Sequence, residues 1–188
     1  MFEENNLRKG TRNGASMACR GHKNTYISEE MECVGNGHSC SDGPEKVTIS
    51  NSTATIDSHA CSDCKSLKRV TFQERDGLNA IGTRCFAGSC LEEIVIQSGV
   101  MVLGNRAFYN CCSLKRVIFY DDSMLQMIDS CCFYHSGLEE FVAPPRLKRI
   151  CGGAFLFCEN LKQVTLNEGL EALKGYSDDG VFENTGIQ

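Results

Sequence analysis

The chain has 188 residues, 41% of them hydrophobic and 23% charged, with a formal net charge of -5, a balance typical of a folded chain rather than a disordered one. The length suits one ordinary domain, and the acidic balance argues against a nucleic-acid surface, which normally needs a basic patch. No run approaches the ~18 apolar residues of a membrane-spanning helix, and the N-terminal MFEENNLRKGTRNG has no apolar stretch of the kind a secretory signal carries, so no membrane insertion or export is expected from these residues.

Residues 1–46 read as degenerate repeats. Phe2 marks a partial coil with Met17 at its aromatic position, and YISEEMECVGNGHSC places Ile27 in a strand and Val34-Gly35 at the following turn. Residues 47–173 are clear repeats. The segment CKSLKRVTFQERDGLNAIGTRCFAGSCL from Cys64 returns 47 residues later as CSLKRVIFYDDSMLQMIDSCCFYHSGL from Cys112. Each unit is two related halves, since Leu67, Leu91, Leu114, Leu138 and Leu161 advance by 24, 23, 24 and 23. A period of 20 to 29 residues around Leu-x-x-Val-x-Phe is the mark of a leucine-rich-repeat solenoid.

The expected fold is α/β: a right-handed solenoid with short parallel strands on its concave face and short helical or 3-10 turns on its convex side. The alternation in Leu67-Lys68-Arg69-Val70-Thr71-Phe72 suits a half-buried strand, and Ile49, Phe72, Ile96, Phe119, Ala143 and Leu166 fill its core position. The apolar residues around Ile81, Phe86 and Leu91 stop alternating, which suggests the helical turn. Gly82 and Gly104 are read there as turn formers. The repeat skeleton comprises Leu67, Val70, Phe72, Ile81, Phe86, Leu91, Ile94, Leu103, Phe108, Leu114, Val117, Phe119, Ile128, Phe133, Leu138, Ile150, Phe155, Leu161 and Val164. Residues 174–188 break the frame, with Phe182 arriving 27 residues after Phe155. Neither end reads as a polar cap, which suggests a fragment, unrecognised caps or end-to-end self-association.

Thirteen cysteines cannot all pair internally. Cys64, Cys90, Cys111 and Cys158 follow the repeat aromatic by three or four residues, and Cys85 and Cys132 precede it. Equivalent side chains in stacked coils lie about 4.8 Å apart, whereas a disulfide wants Cβ atoms about 3.5 to 4.5 Å apart, so buried thiols acting as small hydrophobes are expected. Only one member of Cys111-Cys112 and of Cys131-Cys132 can take a repeat position, leaving its neighbour open to oxidation. Cys61-Ser62-Asp63-Cys64, with His59 nearby, has the spacing of a redox pair or zinc half-site. Both cysteines nevertheless fall on repeat positions, and a zinc site wants two such pairs.

The motif L-x-x-V-x-F-x(n)-L-x-x-I-G-x-x-x-F-x-x-C-x-x-L, best seen in IGTRCFAGSCLEEIVI and LGNRAFYNCCSLKRVIF, resembles the BspA-like, Treponema-type class of leucine-rich repeats found in surface antigens of bacteria and parasitic protists. The resemblance is strong over about 47–173 and weaker over 2–46. It implies a cell-surface or secreted, adhesin-like protein that binds a protein ligand. The absence of a signal in these residues favours instead a cytoplasmic interaction scaffold of the same fold.

Outward strand positions form columns. Lys46, Arg69, Glu93, Arg116, Glu140 and Gln163 make one, and Lys68, Glu92, Lys115, Glu139 and Lys162 its neighbour. Alternating charges there suit register more than recognition. The middle column, Thr48, Thr71, Val95, Ile118, Val142 and Thr165, turns apolar at its centre and is joined by Tyr120. An apolar strip rimmed by charge is a candidate contact surface, and Glu93, Val95, Arg116, Ile118, Tyr120, Glu140 and Val142 are nominated for it. Catalysis finds no support, since His22, His38, His59 and His135 are scattered and no nucleophile elbow or phosphate loop occurs; no metal or other cofactor is expected, and a thiol or metal site at Cys61 and Cys64 stands third behind the two binding readings. Asn51-Ser52-Thr53 is a glycosylation sequon, relevant only to an exported eukaryotic chain.

Overall fold

The computed structural model describes residues 24–27, 33–34, 44–49, 54–73, 77–174 and 180–187. The expected partial coil at Phe2 and Met17, the sequon at Asn51 and most of 1–46 lie outside them. The described residues hold two strands per coil: β1 (Asn24–Ile27) and β2 (Cys33–Val34), β3 (Lys46–Ile49) and β4 (Thr55–Ile56), β5 (Arg69–Phe72) and β6 (Ala80–Ile81), β7 (Glu93–Ile96) and β8 (Val102–Leu103), β9 (Arg116–Phe119) and β10 (Met127–Ile128), β11 (Glu140–Val142) and β12 (Arg149–Cys151), and β13 (Gln163–Thr165) and β14 (Ala172–Lys174).

The odd strands pair in parallel as a front sheet, in the order β1-β3-β5-β7-β9 and then β11-β13. The even strands form one continuous seven-stranded second sheet. Register advances one coil at a time: Val47 faces Val70, Ile94 faces Val117 and Phe141 faces Val164. The chain is a parallel-strand solenoid in which each coil covers its neighbour, as such repeats must to bury their apolar edges.

The third face differs from expectation. No helix lies among the described residues, and the short helical or 3-10 turn is replaced by overlapping hydrogen-bonded turns. In one coil Cys85 N–H bonds to Gly82 C=O, Ala87 to Arg84 and Ser89 to Phe86, while the alternate donors Arg84, Phe86 and Gly88 reach the next coil at Asn105, Ala107 and Tyr109. The same alternation recurs from His59 to Phe157. A residue two before the aromatic position takes positive φ in each of these coils, at His59, Arg84, Arg106, Cys131 and Gly153, and so does one two after it, at Asp63, Gly88, Asn110, His135 and Phe157. A left-handed residue every fourth position prevents helix continuation, and its alternating donors give the turns an inter-coil ladder. Gly82 and Gly104 are not among the positive-φ residues. Their need is space: a Cβ on Gly82 would lie 2.7 Å from Ser58 N, and one on Gly104 2.8 Å from the Gly82 carbonyl carbon.

The core runs between the three faces as columns. Leu67, Leu91, Leu114, Leu138 and Leu161 are buried, as are Val70, Ile94, Val117, Ile81, Leu103, Ile128 and Ile150. Phe86, Phe108, Phe133, Phe155 and Phe182 stack in succession with centroids 5.2 to 5.5 Å apart, each contact adding about 0.5 to 1.5 kcal/mol beyond burial. At the strand-core position Ile49 and Ile96 are buried, while Phe72, Phe119 and Ala143 pack only partly against the core, as does Val164 in the column of Val70 and Phe141. Leu166 is 40% exposed and so is not a core residue; it follows β13, the edge of its two-stranded sheet.

Candidate interaction surface

Two contacts within the charge columns are ion pairs. Arg116 Nη2 meets Glu93 Oε2 at 3.1 Å across β9 and β7, and Lys115 meets Glu139 at 3.3 Å. In the middle column Thr48 and Thr71 hydroxyls lie 3.0 Å apart. Val95 faces Ile118 and Val142 faces Thr165. Ile118 and Val142 are 40% and 56% exposed, while Val95 and Tyr120 are half-buried.

The front sheet is not uniform. β5 and β7 are paired only at Arg69 and Glu93, and no ladder joins β9 to β11. Both partings follow a coil with a longer link between its two strands. Eleven positions separate Arg69 from Ala80 and Arg116 from Met127, against nine for Lys46 to Thr55, Glu93 to Val102 and Glu140 to Arg149. The longer links place Gly77 after β5 and Tyr120-Asp121-Asp122-Ser123 after β9, and the strand that precedes each link pairs fully only with its N-terminal neighbour. Phe72 and Phe119, the last residues of these two strands, are the half-buried members of a column in which Ile49 and Ile96 are buried.

Each parting opens a cavity. That between β9 and β11 is about 250 Å³ and is lined by Arg116, Ile118, Tyr120, Asp121, Glu140, Val142 and the Pro144-Pro145 turn, among others. That beside β5 and β7 is about 380 Å³, lined by Lys68, Arg69, Thr71, Glu92, Glu93, Val95, Lys115 and Arg116 with Val70. The structure thus places all seven nominated residues along these two openings, with Arg116 common to both. Sequence reasoning missed the openings, together with Asp121 and the Pro144-Pro145 rim. The signal was present in the alternation of 24- and 23-residue steps, which marks the joints that part and the joints that close.

Most of the ten described cysteines are buried. Cys61, Cys64, Cys85, Cys111, Cys132, Cys151 and Cys158 are buried, Cys90 and Cys131 half-buried and Cys112 exposed. Burial pushes the Cys111 thiol up to about 12, against hydrogen bonds from the Ser89 side chain and backbone. Desolvation likewise raises Cys85, Cys132, Cys151 and Cys158. Thiols held neutral in this way are poor nucleophiles and metal ligands. Cys61 and Cys64, with the spacing of a redox pair, are core residues beside an exposed His59. No group of three or more potential metal ligands occurs among the described residues.

Comparison with known proteins decides the family. The model for the BspA-type leucine-rich-repeat region matches in six copies, over residues 34–150 and 79–188. The chain belongs to this family. Solved structures with the same fold include the pneumococcal vaccine antigen PcpA, at 21% identity and a TM-score of 0.68, covering 86% of this chain and 42% of that one. A leucine-rich-repeat protein of Bacteroides ovatus is 26% identical with a TM-score of 0.71, covering 88% and 42%. One from T. pallidum is 21% identical with a TM-score of 0.59, covering 83% and 74%. The chain spans less than half the length of the first two. No curated protein matches it. No helix among the described residues is long and apolar enough to cross a membrane.

Proposed function

We propose that this BspA-type chain is a non-catalytic protein-binding or adhesion module that engages its ligand through the front sheet, centred on the opening between β9 and β11. The observation that carries the reading is the exposed pair Ile118 and Val142 beside Tyr120, bordered by Arg116 and Glu140. An apolar centre with a charged rim is the usual anatomy of a contact surface, and aromatic residues at such a centre often carry much of the binding energy. The likeness to a leucine-rich cell surface protein of Faecalibacterium prausnitzii supports a cell-surface setting. The test is attachment of the purified chain to epithelial monolayers and to immobilised matrix proteins, compared with an Ile118→Ser/Tyr120→Ser variant of unchanged circular dichroism. Loss of attachment in the variant supports the reading; attachment that survives the double substitution refutes it.

A cytoplasmic scaffold of the same fold is the second reading, favoured by the half-buried thiols of Cys90 and Cys131 and the exposed Cys112, none of which is in a disulfide. A thiol count on protein from its native source separates the two. Free thiols throughout favour a reducing compartment, and thiols paired within or between chains favour the surface. Stacking of a further coil or a second copy against β13, where Leu166 is exposed, belongs to the same proposal.

A further inference from the structure

The opening between β9 and β11 has a charge and a size that narrow what it can accept. Two carboxylates line it, Asp121 and Glu140, both exposed and neither in an ion pair among the described residues, with Asp122 beside them. Its lone cation, Arg116, is already bound to Glu93 at 3.1 Å. The opening therefore carries net negative charge toward any occupant. Its walls include the exposed apolar side chains of Ile118 and Val142 and the prolines 144 and 145, which have no N–H to donate. At about 250 Å³ it falls below the roughly 300 to 1,000 Å³ of sites that enclose a small-molecule ligand. It is of a size for one long side chain from a larger partner.

We infer that this opening is a receptor for an arginine side chain of a protein partner, presented on an extended segment between apolar neighbours. The inference rests on the front-sheet reading above and specifies its recognition chemistry. Arginine fits better than lysine on physical grounds. Its long stem can lie along Ile118 and Val142 while the charged head stays hydrated. Its planar fork presents several donors, matched to carboxylates set on two sides. The flanking apolar residues of the segment would cover the exposed faces of Val142 and Ile118.

The probe is the peptide acetyl-Gly-Ile-Arg-Ile-Gly-amide, titrated into the whole isotopically labelled chain and followed by amide NMR shifts. Two control peptides carry glutamate or citrulline at the central position, the latter keeping shape and losing charge. The expected result is a shift of the amides of Ile118, Tyr120, Glu140 and Val142 with the arginine peptide. Affinity should be at least about tenfold weaker with citrulline and in an Asp121→Asn/Glu140→Gln variant, as loss of a charge-assisted hydrogen bond implies. Equal response to citrulline, shifts at other surfaces alone, or no shift at peptide concentrations up to about 10 mM would overturn the inference. Should the double variant lose its dispersed spectrum, Glu140→Gln alone makes the same comparison. The two readings fail separately. If Ile118→Ser/Tyr120→Ser abolishes cell attachment while Asp121→Asn/Glu140→Gln attaches normally, the front sheet is the interface and arginine recognition is wrong.

Discussion

Cys111 Sγ donates a hydrogen bond to the Phe86 carbonyl in the preceding coil at 3.1 Å, and Cys158 repeats the contact to Phe133 at 2.9 Å. The intervening coils place serine at the same position, with Ser89 Oγ 3.5 Å from Cys111 Sγ and Ser136 Oγ 3.3 Å from Cys158 Sγ. The column thus reads Cys64, Ser89, Cys111, Ser136, Cys158. Cysteine recurs in every second coil, so no cysteine in this column has another in the adjacent coil to crosslink with. The sequence argument reached unpaired thiols from spacing within an unbroken ladder; the interposed serines are the firmer reason.

These thiols make stability fall in alkali. The folded chain raises the Cys111 thiol to about 12 from an ordinary value of 9.0. Between those limits the folded form keeps a proton that the unfolded form has lost, so the stabilisation present below about pH 9 is lost at up to about 1.4 kcal/mol per pH unit as pH rises through that window. Urea denaturation at about pH 8 and about pH 10 should show a lower midpoint at the higher pH. In Cys111→Ser the difference between the two should shrink by roughly 1.4 kcal/mol, since serine does not titrate there. An unchanged difference would mean that Cys111 is not held neutral by burial.

Thiol reactivity should sort by exposure. Cys112 is exposed, its Sγ 3.6 to 3.7 Å from the carbonyls of Asn110 and His135. Among the ten described cysteines Cys112 should react fastest when the folded protein meets a chromogenic disulfide reagent, and Cys112→Ser should remove the fast modification that peptide mapping assigns to that site. The seven buried cysteines should stay protected until denaturant is added. Rapid modification of Cys85 or Cys132 in native buffer would contradict the packing described.

The stacked phenylalanines should dominate stability. Phe133 is fully buried and stacks on Phe108 at 5.2 Å and Phe155 at 5.3 Å. Truncation to alanine leaves a cavity open to both neighbouring coils, and a loss of about 3 to 5 kcal/mol is expected by chemical denaturation. Phe182 is half-buried with a stacking partner on one side, Phe155, so Phe182→Ala should cost clearly less. Equal losses would show that the column does not act as a stack of nearest-neighbour contacts.

Such columns were legible because each leucine or phenylalanine is specified again in the next coil, and repetition averages out local ambiguity. The turn face was not. Its left-handed positions are filled by Arg84, Arg106, Cys131 and Phe157 as readily as by Gly88 and Gly153, so no glycine pattern announces them; the inter-coil hydrogen bonds hold a backbone that propensity would not choose. The stacking of Tyr109 on Tyr134 at 4.7 Å across that face went unread for the same reason, because the residues were assigned to a helical turn. On the front sheet the charge and apolar columns could be written down from the repeat, but the openings depend on a two-residue difference in link length that matters only once strands are stacked.

That close stacking is tested most directly at the glycines. A methyl group on Gly82 would meet Ser58 N at 2.7 Å, the Asp57 carbonyl carbon at 2.8 Å and the Ile56 oxygen at 2.8 Å. All three are backbone atoms of the preceding coil, which cannot swing aside as a side chain could, so the coils must separate. Gly82→Ala is expected to cost about 2 kcal/mol or more, within the range of overpacked sites. Gly169 sits on an exposed turn, where a Cβ would find its nearest neighbours at 3.8 and 3.9 Å, and Gly169→Ala should fall within roughly 0.5 kcal/mol of wild type. If thermal denaturation shows the two substitutions to be equivalent, Gly82 is serving as a flexible turn after all. A lower midpoint for Gly82→Ala alone would establish that glycine is needed there because two coils approach too closely for any side chain.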